Sequence, residues 1–400
     1  MTTIAVLGSL DTKSAETRYL AERVRAAGAD AVIVDTSAGG SDVAGGDAAV
    51  PAAEVAAGAG LTLAELGAMD RADAVRAMAA GAAAHVAAHG RYDGLLAAGG
   101  SNAALVFSRA AAVLPFRRPK VIVTTMAVVD ARSVVGDSDV TIVYPVADIE
   151  GLNSLTRPVL AQAASAVVAM AGTTVGVGVG DGEGRPVVAA TMFGVTTPCV
   201  QQIRTSLEAS GDEVIVFHAN GTGGRSMERL ADEARFDVIV DVTTTELADL
   251  IAGGDLDAGP DRLTPARGPG VPRVVAPGAC DMANFGAPHD IPTRFAGRTF
   301  HLHNDIVSLM RTTPEENEQI GALIGSFVAA RTDSVAILPL RGVSALDRDG
   351  GPFWDPQADD ALFDAIRAGG GRVVEVDAHI NDPTFARTVI ELVGELRPGR

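Results

Sequence analysis

The sequence predicts an α/β protein built from two Rossmann-like parallel-sheet domains that face each other across a ligand cleft. Three observations carry this. Short apolar runs of strand type alternate with helical patterns along the whole chain, which marks parallel βαβ construction. The composition is 47% hydrophobic but only 4% aromatic, which suits closely packed strands covered by helices. The length of 400 residues exceeds one typical domain.

In the first half, Thr3–Leu7, Ala31–Asp35, Gly94–Ala98, Val121–Thr125 and Val140–Tyr144 read as buried strands. Glu16–Ala27, Arg71–His89, Ser101–Val113 and Leu155–Met170 carry helical spacing. Residues 36–70 are rich in Gly and Ala and read as a long loop with a short helix. A second series supplies strands at Thr174–Val179, Val187–Thr191, Glu213–His218, Val238–Asp241, Arg273–Ala276, Ser334–Pro339 and Arg372–Val376. Its helices fall at Pro198–Ser210, Ser226–Ala234, Thr245–Ile251, Pro314–Ala330, Asp359–Ala368 and Pro383–Leu396. Gly253–Pro272 reads as an excursion. The change of series near Gly172 predicts domains over residues 1–172 and 173–400. The first part of each series, a Gly after a strand and then helix, Gly and strand, recurs in the second, a weak sign of duplication.

Composition excludes several classes. A net charge of −18 repels nucleic acid. Cys199 and Cys280 are the only cysteines, too few for a disulfide framework or a thiolate zinc site. The apolar run Val159–Ala171 is shorter than a membrane span. Met1–Gly8 reads as a first core strand without a basic leader segment. The expectation is a cytoplasmic protein with no membrane and no nucleic-acid partner.

In open parallel sheets, ligands bind beyond the carboxyl ends of the strands. The strand-to-helix turns are therefore the places to look. The turn Asn220-Gly221-Thr222-Gly223-Gly224-Arg225 follows an apolar strand. Its glycines permit close approach to backbone N–H groups at a helix start, a phosphate cradle in form, and Arg225 adds a forked donor. It matches neither the P-loop nor the dinucleotide fingerprint. A tight turn with no ligand is the competing reading.

Gly8-Ser9-Leu10-Asp11-Thr12-Lys13 follows the first strand. Lys13 sits where a phosphate would be held, and Asp11 or Thr12 can cap the next helix. Gly99-Gly100-Ser101-Asn102 opens another helix as a second small-residue nest, unless Ser101 serves only as its cap. Thr197 and Pro198 fit a helix start, and Thr243 with Glu246 fits a capping box.

Asp281 and Asn284 offer oxygen ligands suited to Mg²⁺. Cys280 reads as an inert buried thiol rather than a nucleophile, and Cys199 likewise. His301 and His303 share a face if they lie on a strand, which suits metal binding or acid–base work. His85 and His89 lie four residues apart but lack the glutamate of the zinc-protease motif, and read as surface or core.

Taken in order, Leu7–Lys13, Gly99–Ser101, Thr191–Gly194, His218–Gly224, Gly278–Asp281 and His301–Asn304 resemble a family of uncharacterised proteins. That family is related to the ATP-binding amino-terminal domain of the tomato mosaic virus resistance protein. The resemblance implies two Rossmann-like domains, a nucleotide between them and a homodimer. It does not transfer antiviral function.

The combined expectation is an ATP-binding protein that also takes an unidentified small molecule. Asp11, Thr12, Lys13, Gly99, Gly100, Ser101, Asn102 and Asn220–Arg225 would hold the nucleotide. Asp11 and Asp281 would hold Mg²⁺, and His301, His303 or Asp281 would do acid–base work. As an enzyme it would be a phosphotransferase or an ATP-dependent ligase. Two alternatives stand beside this: a non-catalytic nucleotide sensor, or a metal-assisted isomerase or lyase acting on a sugar-like phosphate or hydroxy acid.

Overall fold

The computed structural model describes residues 1–39, 49–90, 92–173, 184–233, 235–264 and 270–397. The chain divides into two units, Met1–Val175 and Gly176–Arg400.

The first unit runs β1 (Thr3–Gly8), α1 (Ser14–Ala26), β2 (Asp30–Asp35), α2 (Ala52–Gly58), α3 (Leu63–Gly67) and α4 (Arg71–His89). It continues through β3 (Gly94–Ala98), α5 (Ser101–Val113), β4 (Lys120–Val123), α6 (Ala131–Val135), β5 (Val140–Val143) and α7 (Thr156–Gly172). The strands pair in parallel in the order β2-β1-β3-β4-β5. Ile4, Ala5 and Val6 are fully buried, as a strand covered on both faces requires. Val55, Met78 and Phe107 of α2, α4 and α5 cover one face. Leu20, Val24, Leu160 and Val167 of α1 and α7 cover the other.

The second unit begins β6 (Val187–Met192), α8 (Thr197–Ala209), β7 (Glu213–His218), α9 (Thr222–Asp232), β8 (Val238–Thr243), α10 (Thr245–Ala252) and β9 (Arg273–Gly278). Then come β10 (Met282–Phe285), β11 (Phe300–Asn304), β12 (Val307–Arg311), α11 (Pro314–Ala329), β13 (Ser334–Pro339), α12 (Pro356–Ala368), β14 (Val373–Val376) and α13 (Pro383–Leu396). Six strands form a parallel sheet in the order β14-β13-β9-β8-β6-β7. Ile203 and Val389, from α8 and α13, pack on one face, and Ile320 and Leu362, from α11 and α12, on the other.

Both units are therefore Rossmann-like α/β layers, as the alternating pattern predicts. The sequence reading omits one feature: β10, β12 and β11 form a separate antiparallel sheet. The strand expected at Thr174–Val179 lies outside the described residues, as do parts of the expected 36–70 loop and of the Gly253–Pro272 excursion. The helix expected from Ser226 begins four residues earlier, at Thr222. No helix among the described residues is long and apolar enough to cross a membrane.

Candidate functional site

In the first sheet, β1 pairs with β2 on one side and β3 on the other. The strand order therefore reverses between β1 and β3. Loops leaving the carboxyl ends of two such strands diverge and open a crevice. A cavity of about 490 Å³ lies here, lined by Ser9, Asp11, Thr12 and Lys13 after β1 and by Gly99, Gly100, Ser101 and Asn102 after β3. This volume is typical of small-molecule sites. The structure thus brings together two loops that the sequence singles out separately.

The cavity also takes in Thr36, Arg71 and Glu150, together with apolar Ala38, Val75, Ala98 and Val106. Sequence reasoning did not select Arg71. It opens α4, far from both loops in the chain, and no local motif announces it.

Two helix starts meet at this cavity, and neither has a side-chain cap. Gly100, not Ser101, is the N-cap of α5, and Lys13, not Asp11 or Thr12, is that of α1. Uncapped N-termini leave N–H groups and a partial positive charge for an anion. Gly99 adopts φ +151°, a region that favours glycine.

The β1 loop is held from below. The Asp35 carboxylate at the end of β2 accepts from Leu10 N at 3.2 Å and Ser37 N at 3.0 Å. Ser37 Oγ in turn accepts from Asp11 N at 3.0 Å. Lys13 forms an ion pair with Glu150, whose side chain is 80% exposed. An incoming phosphate can displace so exposed a partner at little cost.

The glycine turn of the second unit is arranged differently. Glu246 Oε1 accepts from Gly221 N at 2.6 Å and from Gly224 N at 3.0 Å. Asn220 Oδ1 accepts from Gly223 N at 3.1 Å. An internal carboxylate therefore occupies the place where the sequence suggests a phosphate. Thr222–Arg225 form the first turn of α9 rather than a loop, and Arg225 donates to the Asp257 carbonyl at 3.2 Å.

Glu246 Oε2 is held by Arg262 Nε at 2.8 Å, and Arg262 also binds Asp241 and Glu228. Arg273 binds Glu228 at 2.8 Å. This network is buried and its charges are mutually paired. The expected capping box of Thr243 and Glu246 is not formed. Thr243 Oγ1 donates to the Thr191 carbonyl, and Thr244 is the N-cap of α10. Similarly, Thr196 rather than Thr197 is the N-cap of α8.

A third group lies beyond the carboxyl ends of β9 and β13. Asp281 is fully buried, and its Oδ2 accepts from Ser344 Oγ at 2.7 Å. Its Oδ1 is buried without a hydrogen-bond partner. Burial, then the charge of Asp347, pushes the Asp281 carboxyl up to about 7. Burial and Asp347 likewise push Asp359 up to about 8, although Arg311 binds it at 2.8 Å. Around the Arg311 guanidinium, Asp281 and Asp359 are thus raised to near neutrality, and burial raises Asp347 above its ordinary value as well.

His301 and His303 do lie on a strand, β11. His303 is exposed, and His301 sits edge-on to Phe353 with centroids 6.2 Å apart. Among the described residues, no hydrogen bond, ion pair or ring contact joins either histidine to Asp281. Asn284 does not face Asp281 either: its amide donates to Asp249 Oδ2 at 2.7 Å. Cys199 and Cys280 are buried, which pushes both thiols up to about 12. Both are inert thiols.

Comparison with known proteins agrees with the two-unit architecture. Residues 2–175 match the N-terminal domain model, and residues 185–397 the C-terminal domain model, of an uncharacterised protein family, UPF0261. A UPF0261 protein of Clostridium tetani is 38% identical over 392 residues, covering 96% of each chain. The tomato mosaic virus (ToMV) resistance protein Tm-1 of Solanum lycopersicum is 38% identical over 316 residues, covering 76% of this chain and 42% of its own. Among solved structures, the glycosyltransferase SnogD of Streptomyces nogalater covers 99% of each chain at 12% identity and a TM-score of 0.18, too low to carry an argument. Matched across both of its units, the chain belongs to the UPF0261 family.

Proposed function

We propose that this protein binds ATP, with the phosphates in the first unit beyond β1 and β3. The observation that carries the reading is the convergence there of two uncapped helix N-termini with Lys13 and Arg71 on one cavity. Backbone N–H groups and cations together are what a polyphosphate needs. The apolar side, Ala38, Val75 and Val106, suits a nucleobase. Of the two acids that line the cavity, Glu150 pairs with Lys13, and Asp11 is the one offered to Mg²⁺ that arrives with the nucleotide.

Glu246 and Asn220 engage the N–H groups of Gly221, Gly223 and Gly224, so the phosphates are assigned to the first unit and not to that turn. Homodimer formation and a cytoplasmic location belong to the same proposal.

Photolabelling with 8-azido-ATP and peptide mapping tests the reading. Labelling at or beside Ala38, Val75 or Val106, the apolar side of the cavity, competed by ATP, supports it. Labelling confined to Asn220–Arg225 overturns it.

A second reading is favoured by one observation, the unpartnered Asp281 Oδ1 among carboxyls that hold protons near neutrality. Groups with such pKa values suit proton transfer. In this reading the second unit performs acid–base chemistry on a small polar substrate. Loss of ATP-dependent turnover in Asp281→Asn, with ATP binding retained, supports it. Unchanged turnover in that variant contradicts it.

A further inference from the structure

A cluster on the long helix of the first unit points to a different ligand. Gly81, His85 and His89 follow one another at four-residue spacing on α4 and so share one face. A Cβ on Gly81 would lie 1.9 Å from the Val55 carbonyl oxygen of α2. The glycine therefore lets α2 cross α4 at backbone contact. That crossing carries Glu54, the residue before Val55, to His85, with Glu54 Oε1 3.4 Å from His85 Nδ1.

Ligand atoms of Glu54, His85 and His89 all lie within 4.8 Å of one another. A tetrahedral ion with bonds of about 2.1 Å sets its ligand atoms roughly 3.4 Å apart. The Glu54–His85 pair already has that spacing. The other two distances are at most 4.8 Å, and Glu54 and His89, which reach solvent, are the side chains that would turn to close them, His89 out of its stack on the buried His85 ring.

The second nitrogen of each ring has a partner, as metal-bound histidines require. His89 Nδ1 lies 3.0 Å from the His85 carbonyl oxygen. A carbonyl only accepts, so Nδ1 carries the proton and Nε2 presents its lone pair. His85 Nε2 lies 2.8 Å from the buried Tyr92 hydroxyl. With an ion on Nδ1, the His85 proton sits on Nε2 and the Tyr92 oxygen accepts it. His85 is buried, His89 half-buried and Glu54 exposed, so one side of the cluster is open to solvent.

We propose that Glu54, His85 and His89 form a binding site for a borderline divalent transition-metal ion of the zinc type. Two imidazoles and one carboxylate suit such an ion and not Mg²⁺. Three protein ligands leave a position for water. Bound there, the ion links α2 to α4. The site is separate from the nucleotide cavity: Val75, the residue of that cavity's lining nearest to it along α4, precedes His85 by ten residues of one helix, about 15 Å at 1.5 Å per residue.

The test is titration of tag-free, metal-stripped protein with Co²⁺, followed by visible absorption, and with Zn²⁺, followed by thermal unfolding. One Co²⁺ per chain is expected, with the intense bands of a four- or five-coordinate ion. His89→Ala should abolish these bands, and Glu54→Gln should weaken binding at least tenfold. Zn²⁺ should raise the melting temperature of the parent protein but not of His89→Ala. Both substituted side chains reach solvent, so the variants should remain folded, which circular dichroism verifies. Absence of saturable Co²⁺ binding, or binding unchanged in both variants, would overturn the proposal.

Discussion

The carboxylate of Glu246 accepts a hydrogen bond from Gly224 N at 3.0 Å, and a Cβ on Gly224 would lie 2.0 Å from its Oε2. Glycine is required at this turn to admit a side chain of the same molecule. A glycine-rich turn and a phosphate cradle look alike in sequence because both need open N–H groups.

This relationship makes the first prediction. Glu246→Ala removes a partner of the buried Arg262 and strands the Gly221 and Gly224 N–H groups. Breaking a buried ion pair from one side costs about 3–5 kcal/mol. Urea unfolding should show a loss of that order, whereas ATP affinity measured on the folded variant should stay within twofold of the parent. A loss below 1 kcal/mol would mean that the network does not stabilise the turn.

Charge in the nucleotide cavity gives the second. Lys13→Ala and Arg71→Ala each remove a cation from its lining. Hydrogen bonds to charged groups are worth about 1.5–3 kcal/mol, so each variant should bind ATP at least tenfold more weakly. Glu150→Gln, which releases Lys13 from its ion pair, should bind more tightly. Competition binding at low salt measures all three, and no change in Glu150→Gln would remove that ion pair from the account.

Buried carboxyls give the third. Asp281 and Asp359 are raised from an ordinary 3.8 to about 7 and about 8. Between roughly pH 4 and 8 the folded chain therefore binds more protons than the unfolded chain, and stability falls as pH rises. A rise from 3.8 to about 7 at Asp281 corresponds to roughly 4 kcal/mol. Trp354, the chain's single tryptophan, adjoins Phe353, whose carbonyl accepts from Arg311 Nε at 2.8 Å. Its fluorescence should show a urea midpoint that declines from pH 5 to pH 8, and less steeply in Asp359→Asn. A midpoint that rises over that range would contradict the sign.

Thiol reactivity gives the fourth. Burial raises Cys199 and Cys280 to about 12, and the thiolate is the reactive form. Neither should be alkylated within an hour at pH 8 in the folded protein, and both should react in denaturant. Rapid native labelling of Cys280 would reopen its exclusion as a nucleophile.

Elements with long periodic patterns and clear stops were legible in the sequence. α4 and α5 span the residues expected for them. For α4 the reason is visible: Asp70 caps its first turn, accepting from Ala72 N and Asp73 N, and Gly90 ends it at φ +51°. The antiparallel sheet was not legible. β10, β11 and β12 carry Asn284, His301, His303, Asn304, Ser308 and Arg311, which break up the apolar runs by which strands of the parallel sheets could be read.

At the candidate sites, the loops after β1 and β3 could be read one by one, because each is a polar turn after an apolar run. Their partners could not. Arg71 reaches the cavity from a distant helix start, and Arg262 reaches Glu246 from a segment that reads only as Gly- and Pro-rich. The Gly81 crossing that brings Glu54 to His85 is equally silent. Distance in the chain, not weakness of chemistry, hides these residues.

The most direct test of the central claim is calorimetry of ATP with Mg²⁺ on purified, nucleotide-stripped protein, comparing the parent with Lys13→Ala and Glu246→Gln. Saturable binding is expected, weakened at least tenfold in Lys13→Ala and unchanged in Glu246→Gln. Absence of binding to the folded parent, or a loss confined to Glu246→Gln, would contradict it.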